Sequence, residues 1–248
     1  MSMLDRINIF SEQKDISKAL ASKVAEVAEQ AATARGRFTV ALSGGSLLDI
    51  LSPPLITDPL RSLIHWTSWE IFWADERCVP LLSPDSNFAA ASKLLFKHVG
   101  IAWEQIHEID DTLAPREAAK AYQSTIKEIL QPPNGQLPRF DLILLGMGQD
   151  GHTASLFPGN EVVQEKQKWV APILDAPKPP PERITLTLPV INQAREVIFV
   201  VTGAGKASAL RAVFDDQAPG HRLPAALVNP AHGHLTWFVD EAAAEQLV

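Results

Sequence analysis

The sequence predicts an α/β protein with a mostly parallel central sheet flanked by helices. Three observations carry this. Short apolar runs such as Phe140-Asp141-Leu142-Ile143-Leu144-Leu145 have the composition of strands buried on both faces. Segments of helical period separate them from end to end, the pattern of strands joined by covering helices. Four of the runs end in loops rich in glycine or charge, and open α/β sheets place their ligands at such loops.

Asp15 to Arg35 reads as a helix, because Ile16, Leu20, Val24, Val27, Ala28 and Ala31 recur at helical spacing and Gly36 can stop it. Phe38-Thr39-Val40-Ala41-Leu42 reads as a strand that runs into Ser43-Gly44-Gly45-Ser46 and a helix from Leu47. Strand, glycine turn and helix aim backbone N–H groups at an anion, although the same tetrapeptide also suits a tight turn with a serine cap. Pro53 and Pro54 then break the chain. Trp69 to Ala74 is the next strand, and it delivers Asp75, Glu76 and Arg77 to a loop closed by Pro80. Ser86 and Asn87 cap a helix running to about His98, and Pro115 opens another that runs to about Leu130. Gln131-Pro132-Pro133-Asn134-Gly135 turns the chain into the central strand.

Beyond that strand, Trp169 to Ile173 is a short strand and Ala176 to Pro181 a stiff, extended loop. The loop leads into an alternating strand, Arg183 to Leu188, and its rigidity is expected to position Arg183. Glu196 to Thr202 is an apolar, β-branched strand ending at Gly203-Ala204-Gly205-Lys206, with a helix from Ala207 to Phe214. His234 to Val239 is the last strand, and Asp240 starts a terminal helix. No repeat, charge block or linker divides the chain, so residues 1–248 are expected to form one domain.

The 248 residues are 46% hydrophobic and 21% charged, enough for a sizeable core with an ordinary surface. A net charge of -7 argues against nucleic acid, and an anionic ligand would need a local cluster of positive groups. The single cysteine, Cys78, leaves no internal disulfide and suits a reducing compartment. The start of the chain, Met1 to Arg6, lacks the basic and apolar regions of a signal peptide, and no apolar run is long enough to span a bilayer. The expectation is a cytoplasmic monomer with no membrane partner.

In a parallel sheet the four loops share one edge. Together they supply a glycine anion cradle (Ser43, Gly44, Gly45, Ser46), the cations Arg77 and Lys206, the carboxylates Asp75 and Asp150, and His152. The bland alternative makes His152 a loop histidine and Asp150 a turn former. Gly203 to Ser208 resembles the tail of a nucleotide-binding P-loop but fails its spacing, since one residue separates the glycines and Ala207 follows the lysine. A serine hydrolase would use Ser43 or Ser46, yet neither sits in Gly-x-Ser-x-Gly. Asp75, Asp150 and His152 are possible metal ligands by type only, with no supporting spacing, so neither metal nor cofactor is expected.

The run Gly146-x-Gly-x-Asp150-Gly-His152-x-x-Ser-Leu-Phe-Pro158 resembles the signature of the 6-phosphogluconolactonases. So do Leu42-Ser-Gly-Gly-Ser46, Asp75-Glu-Arg77-x-Val-Pro80 with Ser86-Asn87 downstream, and Arg183-Ile-Thr-Leu-Thr187, and the resemblance reaches Trp237-Phe238. The glucosamine-6-phosphate deaminases are similar in fold, but this chain has Ser155-Leu156-Phe157-Pro158 where they carry a glutamate-bearing segment. The resemblance implies a Rossmann-like sheet and hydrolysis of 6-phospho-D-glucono-1,5-lactone in the oxidative pentose phosphate pathway. One general base suffices for an activated ester, and neutral histidine suits the role. His152 is then the base, Asp150 or Asp75 orients it, and glycine-loop N–H groups receive the oxyanion. Arg77, Arg183, Lys206 and the N–H groups of Gly44, Gly45 and Ser46 are the candidates for the phosphate, with Ser43 and Gly148 also lining the substrate. An amino-sugar-phosphate deaminase and a non-catalytic sugar-phosphate sensor are the alternatives.

Overall fold

The computed structural model describes residues 6–215 and 222–247, so most of the N-terminal stretch Met1 to Arg6 lies outside it. The chain opens with strand β1 (Ile7–Phe10), helix α1 (Gln13–Arg35), β2 (Phe38–Leu42), α2 (Ser46–Leu55) and the short α3 (Leu60–Leu63). Next come β3 (Trp69–Trp73), β4 (Asp75–Arg77), α4 (Asn87–Leu94), α5 (Pro115–Leu130) and β5 (Leu142–Gly146). The last part holds β6 (Val170–Ile173), β7 (Arg183–Leu186), α6 (Leu188–Ile191), β8 (Glu196–Val201), α7 (Ala207–Phe214), β9 (His234–Asp240) and α8 (Glu241–Ala244).

Six strands form one parallel sheet in the order β1-β9-β8-β5-β2-β3. From β2 the chain builds outward to β3 on one side, then returns to add β5, β8 and β9 on the other. The reversal of winding therefore falls between β2 and β5, and the crevice beyond their carboxyl ends is where such sheets take ligands. These two strands are buried almost throughout, as their unbroken apolar composition requires. Their entry ends are pinned by Asp141, which accepts from Thr39 N and Oγ1 (both 2.9 Å) and from Arg35 Nε (2.9 Å). Helix α1 buries the stripe from Ile16 to Ala31 and ends at Gly36, whose φ of 75° turns its N–H back to Ala32 O.

The sequence predicts one sheet, and the structure has two. Asp75 to Arg77, expected as a loop, is strand β4, which pairs antiparallel with β7, itself paired with β6. The second sheet hangs from the end of β3, where Leu186 N donates to Ala74 O at 2.8 Å. Residues of β7 are buried on both faces rather than alternating, and the strand ends at Leu186 where Thr187 begins α6. Strand β1 escapes the sequence pattern because it is short and half-exposed, and pairing with β9 is what makes it a strand. Pro53 and Pro54 do not break the chain before the helix ends but lie inside the last turns of α2. The prolines leave Asp49 O and Ile50 O without their helical donors, and Ser17 Oγ donates to Ile50 O (2.5 Å) in place of one of them. Helix α4 ends at Leu94 and a 3-10 turn carries the chain to His98.

Glu76 holds the two sheets' junction to α4. Its carboxylate accepts from the N–H groups of Arg77 (2.7 Å), Asn87 (2.8 Å) and Phe88 (2.8 Å) and from Ser86 Oγ (3.2 Å). Burial pushes its carboxyl above the ordinary range, against the pull of these bonds. The second acid of Asp75-Glu76-Arg77 is therefore a buried helix cap. Glu76→Ala would strand several buried N–H donors and should destabilise the fold by about 3 kcal/mol. Urea unfolding measures this, and a loss under about 1 kcal/mol would mean the carboxylate does not carry the junction.

Candidate active site

The four loops do converge. Ser43 to Ser46 follows β2, the β4 segment follows β3, Gly146 to His152 follows β5, and Gly203 to Lys206 follows β8. Their residues line one cavity of about 400 Å³, the scale of a small polar ligand. Ser43, Gly44, Gly45, Ser46, Asp75, Arg77, Gly148, His152, Arg183 and Lys206 all face it. Asp150 supports His152 from behind.

The loop after β5 is shaped by its glycines. Gly148 N–H donates to His152 O (2.9 Å) and Gly151 N–H to Gly148 O (3.0 Å), closing the loop on itself. Gly151 takes a φ of 75°, and a Cβ on Gly148 would overlap His152 Nδ1 and Asp150 Oδ1. The glycine N–H groups expected to receive an oxyanion are thus engaged within the loop at Gly148 and Gly151. Beyond it, Thr153 Oγ1 donates to Gly146 O (2.9 Å), and Ser155 Oγ donates to Asp75 Oδ2 (2.7 Å). The Phe157 ring lies 4.7 Å from the His152 ring, and Arg183 lies 5.6 Å from the Phe157 ring. The Ser-Leu-Phe-Pro segment therefore ties the histidine loop to the second sheet.

His152 Nδ1 lies 2.5 Å from Asp150 Oδ1, so Asp150, and not Asp75, is the carboxylate that orients the imidazole. With Nδ1–H held there, Nε2 carries the lone pair and makes no hydrogen bond among the described residues. Burial pushes the imidazole below its ordinary 6.5, outweighing the upward pull of Asp150. Burial raises the Asp150 carboxyl, but the bond and charge of His152 and the charge of Lys178 together leave it below the usual range. The pair is thus neutral imidazole beside carboxylate at neutral pH.

Four cations, Arg77, Lys178, Arg183 and Lys206, line the cavity of a protein whose net charge is -7. Lys206 Nζ donates to Met147 O (2.6 Å), and its turn is braced by Gly203 N–H to Asp240 Oδ2 (2.9 Å). Arg77 Nη1 donates to Asp85 O (2.6 Å), while its buried Nε has no partner among the described residues. At the start of α2, the N–H groups of Gly44, Gly45 and Ser46 are without acceptors among the described residues, and buried Ser43 Oγ is also unpartnered. Asn87, which donates to Asp75 O (2.8 Å), fills the space where a side chain at Gly44 would be. The sequence predicts Arg183 as a phosphate ligand, but most of its donors are committed. Its Nε donates to Pro180 O (2.9 Å) and its Nη2 to Lys178 O (2.9 Å) and Pro179 O (3.3 Å). The proline loop and Arg183 are in direct contact, as the sequence predicts, with the loop carbonyls accepting from the buried guanidinium. Lys178 is the charged cavity residue that sequence reasoning passes over, and the proline run flanking it was the available signal.

A family model described as "Glucosamine-6-phosphate isomerases/6-phosphogluconolactonase" matches residues 11–237. The chain belongs to this family. Human 6-phosphogluconolactonase is 45% identical over 246 residues, covering 97% of this chain and 93% of that one. The structure of 6-phosphogluconolactonase from Trypanosoma cruzi superposes with a TM-score of 0.88 at 29% identity, over 100% of this chain and 98% of that one. A monomeric glucosamine-6-phosphate deaminase superposes with a TM-score of 0.79 at 16% identity, over 97% and 99%, a likeness of fold. Within this family frame, the Gly148 approach is the tightest constraint on the histidine. Gly148→Ala should leave the unfolding transition within about 1–2 kcal/mol, because the atoms a Cβ would meet belong to the partly buried side chains of His152 and Asp150 and not to backbone, yet should displace the imidazole and lower turnover more than about 100-fold. Turnover within tenfold of the parent enzyme would mean that the dyad tolerates a Cβ there.

Proposed function

We propose that this chain hydrolyses 6-phospho-D-glucono-1,5-lactone to 6-phospho-D-gluconate, a step of the oxidative pentose phosphate pathway. The observation that carries the reading is a carboxylate-held, neutral histidine facing a cavity ringed by four cations. The identity to human 6-phosphogluconolactonase supports it from a second direction. His152 Nε2 takes a proton from water as its oxygen attacks the lactone carbonyl. The tetrahedral oxyanion forms in the positive field of the cavity. Collapse breaks the ring C–O bond, the imidazolium returns the proton to the departing ring oxygen, and the acid product ionises. Arg77, Lys206 and the open N–H groups of Gly44, Gly45 and Ser46 hold the phosphate, an arrangement that a helix start favours. Arg183 acts through the loop it clamps, and Asp75 through Ser155.

Lesser readings go with it. Residues 1–248 act as one catalytic domain and as a monomer. The setting is cytoplasmic and reducing, where half-buried Cys78, its thiol pushed up to about 12 by burial, stays inert. Among the described residues no helix is long and apolar enough to cross a membrane.

Freshly prepared phospholactone should open far faster with the enzyme than without it, and glucosamine 6-phosphate should release no ammonia. Ammonia release without lactone opening would select the deaminase instead. His152→Ala should lower turnover roughly 10²–10⁴-fold with a much smaller change in substrate affinity. Because the base works as neutral imidazole and burial lowers its pKa, kcat/KM should hold at pH 7 and fall on the acid side with a midpoint below 6.5. A midpoint above 6.5 would contradict the burial argument.

Arg77→Ala and Lys206→Ala should each cut kcat/KM for the phosphorylated lactone roughly 10–150-fold, the scale of a lost charge-assisted bond, while hardly touching unphosphorylated gluconolactone. Arg183→Ala should lower both substrates alike. Equal losses on both lactones for Arg77 or Lys206 would remove that residue from the phosphate.

A further inference from the structure

A carboxylate bonded to Nδ1 orients an imidazole, but its charge also favours the imidazolium, which is useless as a base. The site contains a counterweight. Lys178 Nζ lies 3.4 Å from Asp150 Oδ1 and 3.3 Å from His152 Nδ1. An ammonium donates and cannot accept, so with Nδ1–H directed at Oδ1 the lysine must also direct a proton to that oxygen. One carboxylate oxygen therefore accepts from both the imidazole and the ammonium.

The lysine is held there by buried structure. Half-exposed Lys178 begins the segment Lys178-Pro179-Pro180, whose three carbonyls are all acceptors for Arg183 Nε and Nη2. Arg183 is in turn fixed between the Phe157 ring and Asp75 Oδ2, 4.0 Å from its Nη1. Proline rings restrict the backbone between clamp and lysine. Solvent alone would need no such support for a lysine.

We propose that Lys178 is a positioning residue of this site, sharing the Asp150 carboxylate with His152 so that Asp150 orients the imidazole while much of its charge is balanced by the lysine. The inference rests on His152 being the base. The charged groups around the imidazole are Asp150 from its own loop, Asp75 and Arg77 from β4, Lys178 from the proline loop, Arg183 from β7 and Lys206 from the turn after β8. Asp75 is already engaged by Ser155 Oγ and Arg183, which leaves Lys178 as the cation in contact with the dyad. Removing it frees the full Asp150 charge for His152, and the sign is therefore a rise in the imidazole midpoint.

The test is an NMR titration of the His152 ring in the resting enzyme, its signal among seven histidines identified by its loss in His152→Asn. Lys178→Met should raise the midpoint by about 0.5–1 pH unit, and Lys178→Arg should stay within about 0.3 unit of the parent. The acid limb of kcat/KM should move with it on both phosphorylated and unphosphorylated lactone. An unmoved midpoint in Lys178→Met, or equal shifts in the Met and Arg variants, overturns the proposal. A loss confined to the phosphorylated lactone with an unmoved midpoint also overturns it and makes Lys178 a phosphate ligand. A midpoint that moves without the activity limb supports the linkage and removes His152 as the base, so the two readings fail separately.

Discussion

The 2.5 Å bond between His152 Nδ1 and Asp150 Oδ1 is the interaction to which the surrounding structure answers. It requires two side chains two residues apart to face each other across a closed loop. That loop needs Gly151 at positive φ and Gly148 with no Cβ, and it needs Gly148 N–H returned to His152 O. It also needs a rigid support, which β5 supplies from the middle of a six-stranded sheet. The ring's remaining freedom is taken by Phe157, so tautomer and orientation are both decided before any substrate arrives.

Electrostatically the site inverts the protein around it. A chain of net charge -7 gathers four cations at one sheet edge, and the carboxylates there are engaged rather than free. Asp75 is held by Ser155, Glu76 by backbone N–H groups, and Asp150 by His152 and Lys178. Burial then acts on the two kinds of group with one sign of consequence. It lowers His152 and Lys206 alike, disfavouring the charged form of each. For His152 that favours the neutral imidazole. For Lys206 the shift is tolerated because lysine starts far above neutrality, so it stays cationic.

Much of this was legible in the sequence because it depends on local rules. Strand runs, glycine turns and helix caps are written in adjacent residues, and the four loops met because parallel order forces their carboxyl ends to one side. What could not be read depends on contacts distant in the chain. Strand β1 exists only through β9, with Ile7 opposite Trp237, and β4 only through β7, with Asp75 opposite Thr185. Whether Asp150 or Asp75 serves His152 was undecidable from composition, since both stand at the same edge. The contact of His152 with Asp150 decides between them, while Asp75 accepts from Ser155, 80 positions away. That Arg183 is buried and spends its donors on the proline loop was hidden for the same reason, because a charged residue's burial cannot be seen in a strand pattern.

The same segment bears on how one fold carries two chemistries. A deaminase of this fold superposes at a TM-score of 0.79 although only 16% of residues are identical, so the sheet and its crevice do not decide the reaction. Here the residues after His152 are Ser155-Leu156-Phe157-Pro158. Ser155 is buried on Asp75, and Phe157 covers one face of the imidazole and backs onto Arg183. No carboxylate enters the site from this segment, which fits the proposed reading in which one histidine moves the proton. A lactone needs no more than that, because its carbonyl is already activated and its leaving group is the ring oxygen of the same molecule. Releasing ammonia from a sugar demands successive proton transfers at different atoms. The apolar and hydroxyl side chains of this segment offer no second acid or base for them. Packing and hydroxyl groups at these four positions are thus consistent with the proposed lactone chemistry.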